Sequence, residues 1–528
     1  MRITSMSFVL CAAALVVLYY RIPKKWQWAA LLCASLGFYA AGGLRYAGYI
    51  LMTAASTYAA TLAMGRVSQK QKAYIAANRN TLTKAEKSEI KKKNNRKKKG
   101  LMVAVLVLNF GILCAFKYFH FALEQLNHIF TLFGGLQLKD TFTLLVPLGI
   151  SFYTFQTMGY LVDVYWGKVE PERNFGKLLL FVSFFPQITQ GPISSFAQLA
   201  PQFTQPHSFT YENYAGGCQR MIWGFFKKMV LANLLAPCVS AVFENYSAYA
   251  GPAVLIGMFF YSIQIYADFS GYMDIMCGLC QILDIRLTEN FERPYFSKSI
   301  AEYWRRWHIS LGVWFKNYIY YPIAVSKWNK RVGKWSQKKL GRIFGQALPA
   351  SIALVVVWLC TGLWHGASWS YIAWGGLNGL FIIVSLWMEP LYAAARKKLH
   401  LQESNWFWRA FQVIRTYILV CFIKVLPEVG TLGQGLGLWR QIFTGWNVVS
   451  FSQLFPYAPG KETLLILFFA MALLFTTSLI QRKTPIRVWF GRFPSAIRAL
   501  ALAGLLFFIV YYGVPASNDL GGFLYAQF

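Results

Sequence analysis

Apolar residues run along this chain in long unbroken blocks, and polar residues gather in the gaps between them. Windows of membrane-spanning length fall near 7–20, 26–41, 46–64, 101–118, 143–165 and 217–239, and again near 251–283, 347–363, 369–388, 407–425, 462–479 and 496–512. A helix needs about 20 apolar residues to cross the hydrocarbon core, so the pattern, with broken and interfacial segments allowed for, predicts roughly eleven to thirteen spans. The fold class expected is an all-α polytopic membrane protein. The first apolar block follows an early Arg2 as in a signal peptide, but no cleavage site with a soluble region behind it follows, so it is read as a retained first span.

The texture changes twice. Residues 1–140 are simple spans plus a basic loop at 66–100; 141–390 are dense in glycine, proline and intramembrane polar residues; 391–528 return to simple spans. The chemistry is expected in the middle part.

Composition supports the bilayer as the chain's surroundings: 56% of residues are hydrophobic and only 14% charged, too few to clothe a soluble protein of this size. The formal net charge of +32 is concentrated in segments such as 66–99, which ends Lys-Lys-Lys-Asn-Asn-Arg-Lys-Lys-Lys. Beside so many spans, such a run is explained by topology and anionic lipid head groups rather than by nucleic acid. Lysine-rich loops stay in the cytoplasm, and counting back through three spans places the N-terminus outside. The nine cysteines are scattered through apolar segments and form no disulfide framework; Cys277 and Cys280 are one helical turn apart and read as small apolar packing.

His365 is the sharpest departure from the apolar pattern, since residues 348–386 contain no acidic or basic residue and no other histidine. An ionisable group at membrane depth is a functional hypothesis by default; the competing reading is a ring satisfied by neighbouring helices. Pro186 and Pro192 break the segment around Gln187 and Gln190, and irregular backbone inside a membrane must line protein or a cavity. Asp268, Ser270 and Asp274 lie in an apolar helix, the two carboxylates on different faces, so they are no acid/base dyad. Each is expected to anchor a hydrogen-bond network or to pair with Arg293, Arg305 or Arg306. Ser299 and Glu302 form a capping box that starts one amphipathic helix, with Trp304, Trp307, His308, Leu311, Trp314, Phe315 and Tyr318 on one stripe.

At these residues the chain resembles the membrane-bound O-acyltransferases, and more narrowly the branch of alginate and peptidoglycan O-acetylation and of teichoic acid D-alanylation. The resemblance rests on Phe-Phe-Pro-Gln (184–187), Asp-Phe-Ser-Gly-Tyr-x-Asp (268–274), Glu-Asn-Phe-x-Arg-Pro-Tyr (289–295), Tyr-Trp-Arg-Arg-Trp-His-Ile-Ser-Leu (303–311) and Gly-Leu-Trp-His-Gly-Ala-Ser-Trp (362–369), in that order. The closing Phe-Leu-Tyr-Ala-Gln-Phe is similar to the end of the alginate type. The wording around both histidines favours acetylation. The basic loop is longer than the family's pattern.

The resemblance implies a helical bundle with re-entrant and interfacial helices around a central funnel, with His365 as the catalytic histidine and His308 as a second functional residue. Gln187, Asp268, Ser270, Asn290, Arg293, Trp304 and Trp364 are the substrate-binding or tunnel candidates. The expected reaction moves an acyl group, acetyl before D-alanyl, from a cytoplasmic thioester toward hydroxyls of an extracytoplasmic cell-surface polysaccharide. The thioester, acetyl-coenzyme A or an acyl carrier protein, is a substrate; no metal and no bound cofactor are expected. A histidine suits the base because its unperturbed pKa, about 6.5, lies near neutrality, and His308 would orient the carbonyl, bind the donor or relay a proton. Beyond the lipid bilayer, the partners implied are an extracytoplasmic esterase-like acyltransferase and an acyl carrier protein, with no nucleic acid, at a bacterial cell membrane. The competing class is a solute or proton transporter with His and Asp residues along its path.

Overall fold

The computed structural model describes residues 3–135, 137–139, 146–444, 446, 455 and 460–514. The closing Phe-Leu-Tyr-Ala-Gln-Phe and the start of the 143–165 window lie outside them. Among the described residues the chain is helical, and its one extended pairing is a single antiparallel bridge between Phe291 and Trp307. Among the described residues eight helices are long and apolar enough to cross a membrane: Lys84–Leu132, Tyr211–Glu244, Gly251–Ile282, Phe344–His365, Trp369–Lys398, Trp406–Lys424, Lys461–Ile480 and Ser495–Tyr512. Each coincides with an apolar window of the sequence. The other four windows fall in Met6–Arg21, Gln27–Ala41, Ala47–Ala77 and Ile150–Trp166, which are shorter or, in Ala47–Ala77, interrupted by Thr53, Thr57 and Thr61. The chain is thus an all-α polytopic membrane protein that divides into two compact units.

The first unit comprises Ile3–Tyr214 and Cys280–Thr288. Here the basic stretch is not a loop. Ala47–Ala77 continues through about its first third, and after a short turn Lys84–Leu132 begins at a complete capping box of Thr83 and Glu86. Residues 67–99 hold no proline or glycine and are rich in Lys, which loses little rotamer freedom in a helix. The result is a charged helical hairpin. The break at Pro186 is real: Phe175–Ser183 stops, Phe185–Ile188 forms one turn, and a turn and an irregular stretch follow before the next helix begins at Phe196. Gly149 accommodates it, since its φ is +69° and a Cβ there would lie 1.8 Å from the Ile188 carbonyl oxygen.

The second unit comprises Ala215–Leu279 and Glu289–Phe528. Its centre is a pair of helices packed backbone on backbone through glycines. A Cβ on Gly224 would sit 2.7 Å from the Gly271 carbonyl oxygen, and one on Gly278 would sit 2.6 Å from that of Gly217. Small residues let membrane helices approach this closely, and the closeness fixes which polar side chains can meet. Inside the first of these helices, Phe226–Ala232 winds as a π-helix, an insertion that turns Lys227 and Lys228 inward, both buried.

Candidate active site

His365 is the last residue of the Lys327–His365 helix. Gly366 follows in extended backbone, and Ser368 caps the next helix, Trp369–Lys398, by accepting from the Tyr371 amide at 3.3 Å. The motif Trp-His-Gly-Ala-Ser-Trp is therefore the tight turn between two long helices, and the histidine stands where the first one ends. Glycine packs these helices too: a Cβ on Gly375 would lie 2.5 Å from the Trp358 carbonyl oxygen. The His365 ring is 3% exposed and lies edge-on to Trp364 and Trp374, with centroids 4.8 Å away in each case, and stacks over Tyr371 at 6.3 Å.

His308 is not inside a helix. The expected single amphipathic helix is two, Ile300–Arg306 and Ile309–Phe315, and His308 occupies the joint at φ 48°, ψ 52°. A left-handed non-glycine residue costs about 1–3 kcal/mol, and such strain persists where surrounding structure imposes it. What imposes it is the neighbouring motif. Phe291 bridges Trp307, the Glu292 amide donates to the Arg306 carbonyl at 2.9 Å, and the Ile309 amide donates to the Asn290 carbonyl at 3.1 Å. The Asn290 side-chain oxygen then accepts from the Ser310 amide at 2.9 Å, which satisfies an orphan donor of the second helix. Helical periodicity in 299–318 is locally genuine; these longer-range hydrogen bonds override it.

The two histidines share a neighbour. The His308 ring, 1% exposed, lies 6.0 Å from Trp364 and 4.9 Å from Phe269, and Trp364 also meets His365. Burial pushes the His308 imidazole from its usual range down to about 3, so it is neutral throughout the physiological range. Trp304 forms the outer part of the same aromatic wall, 5.5 Å from Trp374, with its indole N–H donating to Asn378 Oδ1 at 2.9 Å. His365, His308, Trp304 and Trp364 are thus brought together.

The other candidates take different places. Asp268 and Asp274 do not pair with Arg293, Arg305 or Arg306; Arg306 is engaged by Glu302, one turn earlier on its own helix, at 2.6 Å. Asp268 forms a buried ion pair with Lys228, and Asp274 binds Arg220 at 2.8 Å and Lys227 at 2.7 Å. Arg220 also clasps Glu289 through two hydrogen bonds of 2.7 and 2.5 Å, and Ser270 accepts from Lys227 at 2.8 Å. The glycine contacts set this pairing, because they hold the two helices close enough for carboxylates on one to reach cations on the other. Ser270, Asn290 and Arg293 line a cavity of about 1660 Å³ in this unit. Gln187 belongs to the first unit, where its amide donates to the Pro192 carbonyl at 2.7 Å and to Ser194 at 2.5 Å, closing the broken turn.

Sequence reasoning missed Arg220, Lys227, Lys228 and Lys424. The signal was present: Lys227 and Lys228 stand in an apolar window, and the rule that singles out His365 applies to them equally. Lys424 is 6% exposed, its ammonium lying 3.7 Å over the Trp307 ring and donating to the Tyr295 hydroxyl at 3.1 Å. This cation holds the residue that precedes His308.

Residues 172–426 match the model of the membrane-bound O-acyltransferase family. The chain is 34% identical over 367 residues to the probable alginate O-acetylase AlgI of Azotobacter vinelandii, covering 70% of this chain and 65% of that one. It is 30% identical over 404 residues to the peptidoglycan O-acetyltransferase of Helicobacter pylori, with 72% and 66% covered, and 27% identical over 288 residues to the teichoic acid D-alanyltransferase of Bacillus subtilis, with 52% and 67% covered. The chain spans about half to two thirds of the length of the curated relatives it matches. The matched segment holds both histidines and every second-unit candidate, and through residues 172–426 the chain belongs to the membrane-bound O-acyltransferase family.

Proposed function

We propose that the chain moves an acyl group, acetyl in the first place, from a cytoplasmic thioester toward hydroxyls of an extracytoplasmic cell-surface polysaccharide, with His365 as general base. The observation that carries this reading is the pair of buried histidines whose rings both meet Trp364, each at a helix terminus. His365 takes the proton of the acceptor hydroxyl as its oxygen attacks the thioester carbonyl. The tetrahedral intermediate collapses with cleavage of the C–S bond, and the imidazolium returns the proton to the departing thiolate. His308, held neutral by burial, serves as a hydrogen-bond donor to the carbonyl oxygen as negative charge develops there, a preorganised role that needs no change of protonation. The aromatic wall keeps water from competing for the acyl group.

Relatives named for O-acetylation are 30–38% identical to the chain, against 27% for those named for D-alanyl transfer, which favours acetyl as the acyl group. In this reading an extracytoplasmic esterase-like partner completes transfer to sugar, and a carrier-protein donor belongs to the D-alanyl alternative. The test is His365→Ala in the full chain, with acyl release from labelled acetyl-coenzyme A measured on purified protein. A fall of about 10² to 10⁴ in rate, with normal expression, is expected for loss of a general base. A His365→Ala protein that transfers acetyl at the parent rate sinks the assignment; solute flux without thioester cleavage in the parent would favour a transporter.

A further inference from the structure

The cavity of the second unit has two unlike walls. One is apolar and comes from three membrane-spanning helices: Val413 and Ile414 of Trp406–Lys424, Leu474 and Phe475 of Lys461–Ile480, and Leu505 and Phe508 of Ser495–Tyr512. The other is cationic, eight Lys and Arg side chains against four carboxylates. Three of those carboxylates are already spoken for: Asp274 and Glu289 by Arg220 and Lys227, and Glu302 by Arg306. Arg293, Lys298, Arg409 and Arg482 then have Glu292 as the one remaining carboxylate of the lining.

Arg293 shows the imbalance most directly. Held at φ 49° ahead of Pro294, its guanidinium lies 4.7 Å from the Phe296 ring, and its Nε is buried with no hydrogen-bond partner among the described residues. Burial, together with the charges of Arg306 and Arg482, lowers its affinity for a proton. A buried donor left unmet is destabilising, and an anion accepting from Arg293 while neutralising Arg482 relieves both the unmet donor and the excess charge. A guanidinium cluster is the matching chemistry for phosphate, which it binds through paired N–H donors.

We propose that this cavity binds an anionic phospholipid, its phosphate against Arg293 and Arg482 and its acyl chains along the Ile414, Leu474 and Leu505 wall. A soluble phosphate would satisfy the arginines and leave the apolar wall in water, which is unfavourable in proportion to the area exposed. An uncharged lipid would cover that wall and leave the arginines unmet. The volume, about 1660 Å³, exceeds the roughly 300–1,000 Å³ of ordinary small-ligand sites. Asn290 and Ile309, which hold the His308 turn, are part of the wall, so the bound lipid braces that turn from behind.

The test needs no acyl donor and so stands apart from the proposed reaction. The full chain, purified in detergent, is equilibrated with mixed micelles of phosphatidylglycerol and phosphatidylcholine, and the lipid it retains is quantified by native mass spectrometry. Selective retention of phosphatidylglycerol is expected. Arg293→Gln with Arg482→Gln should reduce it about tenfold, the equivalent of about 1.4 kcal/mol. Leu474→Trp with Leu505→Trp, which fills the apolar wall and leaves the arginines in place, should also expel it, and decides the matter should the arginine variant misfold. His365→Ala should retain lipid as the parent does. Equal retention of both lipids, no retention by the parent, or retention unmoved by the Trp pair would overturn the proposal. Displacement of phosphatidylglycerol by inorganic phosphate or coenzyme A alone would overturn it in favour of a soluble phosphate ligand.

Discussion

His308 couples backbone strain to a buried ring, and both can be read out by pH. A histidine in the unfolded chain takes a proton near pH 6.5, whereas burial lowers this one to about 3. Between those values the unfolded state binds the proton and the folded state does not, so stability is whole above pH 6.5 and falls steadily as pH drops towards 3. His308→Asn removes the titrating group and keeps a residue that tolerates left-handed backbone. Its thermal midpoint should vary less with pH across that window than the parent's; equal slopes would contradict a neutral, desolvated ring. The histidine itself, and its place among Trp304, Trp307 and Leu311, were legible in the sequence. The left-handed joint was not, because the 299–318 stripe satisfies helical periodicity at every step and the interruption comes from Asn290 and Phe291, earlier in the chain.

Between elements, the apolar windows located eight spans because helix length in a bilayer is set by local composition alone. Pairings between helices escaped this logic. Asp268 and Lys228 are forty positions apart and meet because glycines at 217, 224, 271 and 278 bring their helices to backbone contact. That pair is fully buried, so removing one member leaves an uncompensated charge. Lys228→Met should destabilise the chain by about 3–5 kcal/mol, whereas Lys228→Met with Asp268→Leu should recover most of the loss. Unfolding in a denaturant series on the detergent-solubilised proteins checks this; a double variant no more stable than the single one would mean the pair is not the source of the loss. The basic 66–99 stretch shows a different limit: charge run and loop look alike in a hydropathy scan, and only its lack of glycine and proline hints at the helical hairpin.

For the whole molecule, the topology proposed from the lysine-rich hairpin predicts that Ser88, exposed within it, faces the cytoplasm and that the N-terminus lies outside. A Ser88→Cys chain should gain label over its parent from a membrane-impermeant maleimide only after the cells are opened; labelling of intact cells would invert the proposed orientation. The sequence by itself determined the environment, twelve apolar windows that include the eight long spans, the family motifs and the two histidines, because hydropathy and motif order are properties of neighbouring residues. Only the tertiary structure decided that both histidine rings meet Trp364, that a distant asparagine bends the chain at His308, and that Asp268 and Asp274 meet Lys228, Lys227 and Arg220 rather than the motif arginines. Those outcomes depend on how closely two backbones can approach, and that distance is set by packing between segments far apart in the chain.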